Sequence, residues 1–257
     1  MTFKRVLLTG ASSGIGRALA LALAAPGVSL HLGGRDATRL EEVAGECRAR
    51  GAVALSRIVS VTDAAEMGAW IAGAGPLDLV IANAGISGGT AGALESDAQI
   101  RAIFATNLDG MLNTVLPAMR VMAGQTPDAR GLRGRIAVVA SIAAFVPSPS
   151  APAYCASKAA VDSWVVGAAP SARSQGIQLT SLCPGFVTSP MTATNAFPMP
   201  GIMSPQRAAG LMLRAIAAGR TRAAFPGWMA AGARFTALLP VSWREAVAAR
   251  MPAKKSL

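Results

Sequence analysis

Tyr154 and Lys158 stand four residues apart in the string "AYCASK" (153–158), and both are rare: Tyr154 is the only tyrosine in 257 residues, and Lys158 the only lysine between Lys4 and Lys254. Residues at this spacing on a helix share a face, so phenol and ammonium point the same way if the stretch is helical. A free phenol titrates at about 10, too high for efficient proton exchange at neutral pH. An adjacent ammonium favours the phenolate and lowers that value, which suits the pair to trading a proton with an alcohol or carbonyl oxygen. Spacing alone leaves open a structural tyrosine beside a surface lysine.

A second string, "TGASSGIG" (9–16), places glycines at 10, 14 and 16 between an apolar strand-like run and a helical stretch. Glycine lets backbone pass close to a pyrophosphate, and a helix start offers free N–H groups and partial positive charge. Gly10, Ser12, Ser13, Gly14, Ile15 and Gly16 are therefore expected to bind a dinucleotide. The next strand-like run ends in Gly33-Gly34-Arg35, with a carboxylate only at Asp36. A carboxylate on the strand end suits the ribose 2′-OH of NAD, whereas Gly34 followed by Arg35 suits a 2′-phosphate, so NADP(H) is favoured over NAD(H). The competing reading leaves Arg35 solvated and Asp36 only capping the next helix.

"TGASSGIG", "NAG" (83–85), "TNLDG" (106–110), Ser141, "YCASK" (154–158) and "PGFVTSP" (184–190) occur in the order and at the distances of the short-chain dehydrogenases/reductases. The sequence resembles that family, of the Tyr-x-x-x-Lys type with a TGxxxGxG cofactor motif, over roughly residues 4–190. The resemblance implies four catalytic residues. Tyr154 is the general acid/base, Lys158 lowers its pKa and holds the nicotinamide ribose, Ser141 hydrogen-bonds the substrate oxygen, and Asn107 holds a relay water. It also assigns Asn83, Ala84 and Gly85 to a cofactor-lining strand end, and Pro184, Gly185 and Val187 to the nicotinamide side. Three positions depart from the family pattern. Ser60, before Val61, replaces the carboxylate that meets the adenine amino group; Ala82 replaces a second asparagine; Ser189 replaces a threonine that contacts the carboxamide.

These groups need a scaffold, and the hydropathy pattern supplies one. Strand-like runs at 5–10, 28–34, 53–59, 77–85, 135–141 and 177–183 alternate with helical stretches at 14–25, 37–50, 63–73, 97–123 and 152–175. Repeated β-α-β units with apolar strands predict a parallel sheet covered on both faces. The expected fold is a single α/β domain over 1–257, a Rossmann-type doubly wound sheet flanked by helices, with ligands at the carboxyl ends of the strands. Pro170 is expected to kink the helix of 152–175.

Residues 185–205 read as a substrate lid loop, rich in methionine and proline. An amphipathic helix follows at 205–219, and no "DGG"-type strand ending is found, only "TRAAFPGW" (221–228). The segment 228–257 reads as an amphipathic C-terminal helical extension, for a lipid-like substrate or a peripheral membrane contact, or else a tail on the core or between subunits.

The formal net charge of +11 suits an anionic cofactor or partner, but the arginines are scattered, which argues against nucleic acid. No apolar window is long enough to span a membrane. Cys47, Cys155 and Cys183 have no C-x-x-C spacing, which predicts reduced thiols in the cytoplasm and no zinc site. The sole histidine, His31, lies in a strand with no second ligand spaced near it.

The function this predicts is an NADP(H)-dependent interconversion of a ketone or aldehyde and its alcohol on a mostly apolar small molecule, by a homodimer or homotetramer. A 3-oxoacyl-thioester (acyl-carrier-protein) reductase is the nearer alternative. A catalytically silent dinucleotide-binding regulator is the alternative of another class, although all four catalytic positions are kept.

Overall fold

The structure is a computed structural model and describes residues 3–195, 197–243 and 254–256. Among these, β1 (Arg5–Thr9), β2 (Ser29–Gly34), β3 (Val53–Ile58), β4 (Leu79–Ala82), β5 (Gly134–Val139), β6 (Ile177–Pro184) and β7 (Arg222–Phe225) form a seven-stranded parallel sheet in the order β3-β2-β1-β4-β5-β6-β7. The helices are α1 (Gly14–Leu23), α2 (Ala37–Ala49), α3 (Ala64–Gly73), α4 (Asp97–Phe104), α5 (Gly110–Ala123), α6 (Pro152–Ser174), α7 (Pro190–Ala193), α8 (Pro205–Ala217) and α9 (Gly227–Ala237).

Side chains of a strand alternate between faces, and here both faces are apolar. On β1, Val6 and Leu8 join one core with Leu19 of α1, Val43 of α2 and Met212 of α8. Leu7 joins the other core with Met67 of α3, Val115 of α5 and Val165 of α6. The same alternation recurs on β4, where Leu79 and Ile81 belong to the first core and Val80 and Ala82 to the second. Helices thus cover both faces of the sheet, as the sequence pattern predicts.

The strand order reverses between β1 and β4, so their connections leave in opposite directions and open a crevice at their carboxyl ends. The chain leaves β1 at Gly10 and β4 at Asn83, so the glycine turn and the "NAG" string face each other across this crevice.

The structure differs from the sequence expectation in two places. A seventh strand, β7, lies within "TRAAFPGW" and pairs with β6 from Ser181↔Arg222 to Pro184↔Phe225. Its four residues are too few for a periodic signal, and an ion pair between exposed Arg222 and buried Asp162 ties the strand to α6 instead. Arg222 donates to both carboxylate oxygens of Asp162 on α6, at 3.0 and 2.7 Å. The stretch 97–123 is not one helix, because Ala105–Asp109 form a π turn between α4 and α5. Pro170 lies inside α6, which extends to Ser174 and packs on the sheet through the buried Val161, Val165, Ala169 and Ala172.

The lid expectation falls on a folded loop: Val187 bridges Met203, α7 lies between them, and Phe186 meets Phe197 edge-on with centroids 6.0 Å apart. Of the expected extension 228–257, α9 is described, and residues 244–253 and 257 lie outside the described residues. Trp228, Phe235 and Leu238 of that segment are exposed. Among the described residues no helix is long and apolar enough to cross a membrane, and no group of three or more His, Cys, Asp and Glu side chains could hold a metal. His31 lies on β2, where burial lowers its pKa.

Candidate active site

The turn after β1 sets the site's floor. Gly10 and Gly14 have φ of +65° and +51°, a region that a Cβ disfavours. At Gly16 an added Cβ would overlap the Gly10 carbonyl and come within 2.7 Å of Asn83 Nδ2, so only glycine lets α1 start this close to the turn. Ser13 caps α1 without a side-chain hydrogen bond, and no acidic residue lies in the first turn. The helix therefore presents unpaired N–H groups and partial positive charge to the crevice, a setting made for an anion.

Asn83 locks the facing strand end in place. Its Nδ2 donates to the carbonyls of Thr9 and Gly10 at 3.1 and 3.0 Å, while its own N–H and that of Ala84 donate to Thr9 Oγ1. Asn83 thus clamps β4 to the glycine turn.

The reactive cluster converges from three elements. Lys158, buried on α6, donates through Nζ to the Val139 carbonyl at 2.7 Å. Burial pushes its pKa down to about 8. Tyr154, one turn earlier, is half-buried, and withdrawal from water raises the phenol above its usual range, with the Ser141 hydroxyl opposing. The sequence expectation was a lowered phenol. Here desolvation raises the phenol and outweighs the lowering by the Ser141 hydroxyl. Ser141, at the end of β5, caps a short 3-10 turn by accepting from Ala143 N at 3.1 Å.

Asn107 lies in the π turn with its carboxamide fully buried. Oδ1 accepts from Ile86 N at 2.8 Å, and Nδ2 donates to the Ile86 carbonyl and to Ser157 Oγ, both at 3.0 Å. An extra residue in a helical turn re-aims the chain, and here the carboxamide is directed to Ile86 and Ser157, beside Gly85. A Cβ at Gly85 would lie 3.1 Å from Asn107 Oδ1 and 3.4 Å from Lys158 Nζ. Both groups border the space that a side chain at Gly85 would fill.

One cleft of about 430 Å³ gathers nearly all the residues singled out from the sequence. Along its walls lie Gly10, Ser12 to Gly16, Gly34, Arg35, Ser60, Val61, Asn83 to Gly85, Ser141, Tyr154, Lys158, Pro184, Gly185, Val187 and Ser189. Asn107 stands behind the wall. Ser60 bonds Thr62 Oγ1 at 2.8 Å, and Ser189 is occupied as the N-cap of α7 in a capping box with Thr192. Asp36 caps α2, accepting from Arg39 N at 3.0 Å, and pairs with the Arg39 guanidinium at 3.3 Å.

The sequence reading missed Ser157, which joins Asn107 to α6 by accepting its Nδ2–H and donating to the Tyr154 carbonyl at 2.8 Å. Its place between Tyr154 and Lys158, three residues after the tyrosine, was the available signal. Arg39 was missed as well; it lines the cleft mouth beside Arg35.

The geometry matches a known family. The family model described as short chain dehydrogenase matches residues 4–197. The chain belongs to the short-chain dehydrogenase/reductase family. It is a short-chain oxidoreductase, similar over 258 residues at 36% identity to an uncharacterized oxidoreductase of Myxococcus xanthus (strain DK1622), with 98% of each chain covered. Its fold is that of a short chain dehydrogenase/reductase from Burkholderia phymatum in complex with NAD, at TM-score 0.82, 24% identity and coverage of 100% and 98% of the two chains. It is also similar to an actinorhodin polyketide ketoreductase with NADPH, at TM-score 0.77 and 25% identity over 88% of this chain and 97% of that one. In this short-chain oxidoreductase the cysteines are free and buried; burial raises Cys155 and pushes Cys183 up to about 12, which keeps both as inert thiols.

Proposed function

We propose that this chain is an NADP(H)-dependent oxidoreductase that interconverts a ketone or aldehyde and its alcohol on a mostly apolar small molecule, running as a reductase. The observation that carries this reading is that Ser141, Tyr154 and Lys158 line the same cleft as the uncapped start of α1. The cleft suits a dinucleotide: a glycine cradle that a Cβ would fill, a bare helix start, and two arginines at the mouth.

The N–H groups at the start of α1 would hold the pyrophosphate, and Lys158, next to Gly85, the nicotinamide ribose. Arg35 and Arg39 supply charge for a 2′-phosphate, and Asp36, engaged by its helix and by Arg39, offers little repulsion. When bound, the cofactor supplies the hydride. Ser141 donates to the carbonyl oxygen and orients it, and Tyr154 gives up its proton as charge develops there. Asn107, with its carboxamide anchored to Ile86 and Ser157, holds the turn from which a proton relay to Lys158 would run. The loop over 185–205 lies beside the cleft through Val187, Ser189 and Met191 and acts as the substrate lid.

A 3-oxoacyl-thioester reductase is the second reading, supported by the likeness to a polyketide ketoreductase and by a basic chain suited to an acidic carrier protein. Free buried thiols support a cytoplasmic setting. The exposed apolar residues of α9 support a contact surface, for a second copy in a homo-oligomer or for a lipid-like body.

The test is NADPH consumption with ketones and aldehydes of graded chain length, and with their acyl thioesters. Tyr154→Phe is expected to lower kcat/KM by roughly 100- to 10,000-fold; retention of most of the rate removes Tyr154 from the acid/base role. Wild-type protein is expected to prefer NADPH over NADH, and Arg35→Ala to narrow the preference. A wild-type preference for NADH overturns the 2′-phosphate reading.

A further inference from the structure

Lys254 is one of four lysines in the chain, and it stands against the reactive cluster. Its Nζ lies over the Tyr154 ring, 5.1 Å from the centroid, and donates to Ser87 Oγ in the loop after β4. Its carbonyl accepts from Ala91 N at 2.7 Å, and Thr90 N donates to the Ser150 carbonyl at 3.0 Å in the same strip. Gly89 makes room for it: an added Cβ there would overlap Lys254 Cβ and lie 2.6 Å from its carbonyl oxygen.

The ammonium is partly withdrawn from water, and its contacts are a neutral hydroxyl and an aromatic face. Among the described residues no carboxylate pairs with it. Glu95, the acidic group of that region, is turned to Ala153 N at 2.9 Å and to Gln99 Nε2 at 3.1 Å. A buried cation left without an anion is costly unless something else supplies the charge. Lys158, the other cation of the cluster, is committed to the Val139 carbonyl. Among the described residues, Lys254 therefore brings a positive charge with no paired carboxylate to the face of the Tyr154 ring.

We propose that Lys254 is a specificity-determining residue whose ammonium binds an acidic group on the substrate, so that the preferred carbonyl compound is an oxo acid with its carboxylate close to the reacting carbonyl. The inference rests on the reading of Tyr154 as the acid that protonates that carbonyl. Closeness follows from the geometry, since the ammonium and the phenol hydroxyl belong to the same ring's surroundings. The rest of the substrate remains apolar.

The experiment compares full-length wild-type protein, Lys254→Met and Lys254→Arg on oxoalkanoic acids and on their methyl esters, which keep the carbonyl and remove the charge. Wild-type protein is expected to favour acid over ester in kcat/KM. Lys254→Met lowers the acid-to-ester ratio by roughly 10- to 100-fold, chiefly through KM, as loss of a charge-assisted contact implies, and Lys254→Arg retains part of it. An unchanged ratio in Lys254→Met overturns the proposal, as does a wild-type preference for esters. A rise in kcat/KM for acid and ester alike also overturns it, because the residue is then an obstruction rather than a binding group.

A binding arm separates this proposal from the catalytic reading. Calorimetric titration of the oxo acids into wild-type and Lys254→Met protein reads affinity without turnover. If neither acid nor ester is reduced with either coenzyme, the reductase reading fails, while acid binding that is lost in Lys254→Met still supports the site. Equal binding by both proteins, or none by either, sinks it.

Discussion

The ammonium of Lys158 and the carbonyl of Val139 are joined by a 2.7 Å hydrogen bond that ties α6 to the end of β5. The contact holds a buried charge, and burial brings its pKa from the ordinary 10.5 to about 8. Below pH 8 folded and unfolded chains both carry the proton, and the fold bears the cost of the buried ammonium. Between 8 and 10.5 only the unfolded chain carries it, so stability rises with pH. The unfolding free energy of wild type minus that of Lys158→Met, in cofactor-free protein, is expected to increase by about 3 kcal/mol across this window. A flat difference shows that Lys158 titrates normally.

Ser157 holds the buried Asn107 carboxamide. Ser157→Ala leaves one Nδ2 proton of Asn107 unpaired while the two bonds to Ile86 persist. The expected loss is about 1–3 kcal/mol in urea denaturation, with a fall in kcat. An unchanged midpoint shows that Ile86 alone holds the turn.

Gly16→Ala forces the start of α1 away from the Gly10 carbonyl. NADPH affinity, read by fluorescence titration, is expected to fall roughly tenfold or more as the helix N–H groups leave their positions. Gly45 on α2 is the control, since nothing lies within 4 Å of an added Cβ there. Gly45→Ala should leave NADPH affinity intact and stabilise the fold by about 0.5–1 kcal/mol. Equal effects at the two sites contradict the proposed crowding.

The Asp162–Arg222 pair carries the seventh strand. Asp162 is buried and also accepts from Ser181 Oγ at 2.6 Å, so Arg222→Met strands a carboxylate inside the protein. Because Arg222 is exposed and Ser181 still donates to Asp162, denaturation should show a loss of about 1–3 kcal/mol. The double variant Asp162→Leu with Arg222→Met is expected to lose less than the single one; a larger loss argues that the pair is favourable in its own right.

Much of the fold was legible because a doubly wound sheet writes itself in hydropathy: strands buried on both faces read as apolar runs, and the helices between them carry one apolar stripe. β7 was not legible, since its four residues are strand only by virtue of β6 and the Arg222–Asp162 pair. The π turn was hidden likewise, because "ATNLD" fits an ordinary helix and the added residue is demanded by where Asn107 must point.

By itself, the sequence determined the groups and their local geometry: a phenol and an ammonium on one helix face, glycines where backbone must pass closely, and an arginine where a carboxylate is absent. Only the tertiary structure decided their electrical state and their neighbours. The burial that raises Tyr154 and lowers Lys158 depends on the helices and loops closing around them, and the approach of Lys254 to the Tyr154 ring joins residues 100 positions apart. Local order follows from spacing along the chain, whereas desolvation and charge pairing depend on what the whole fold brings into contact.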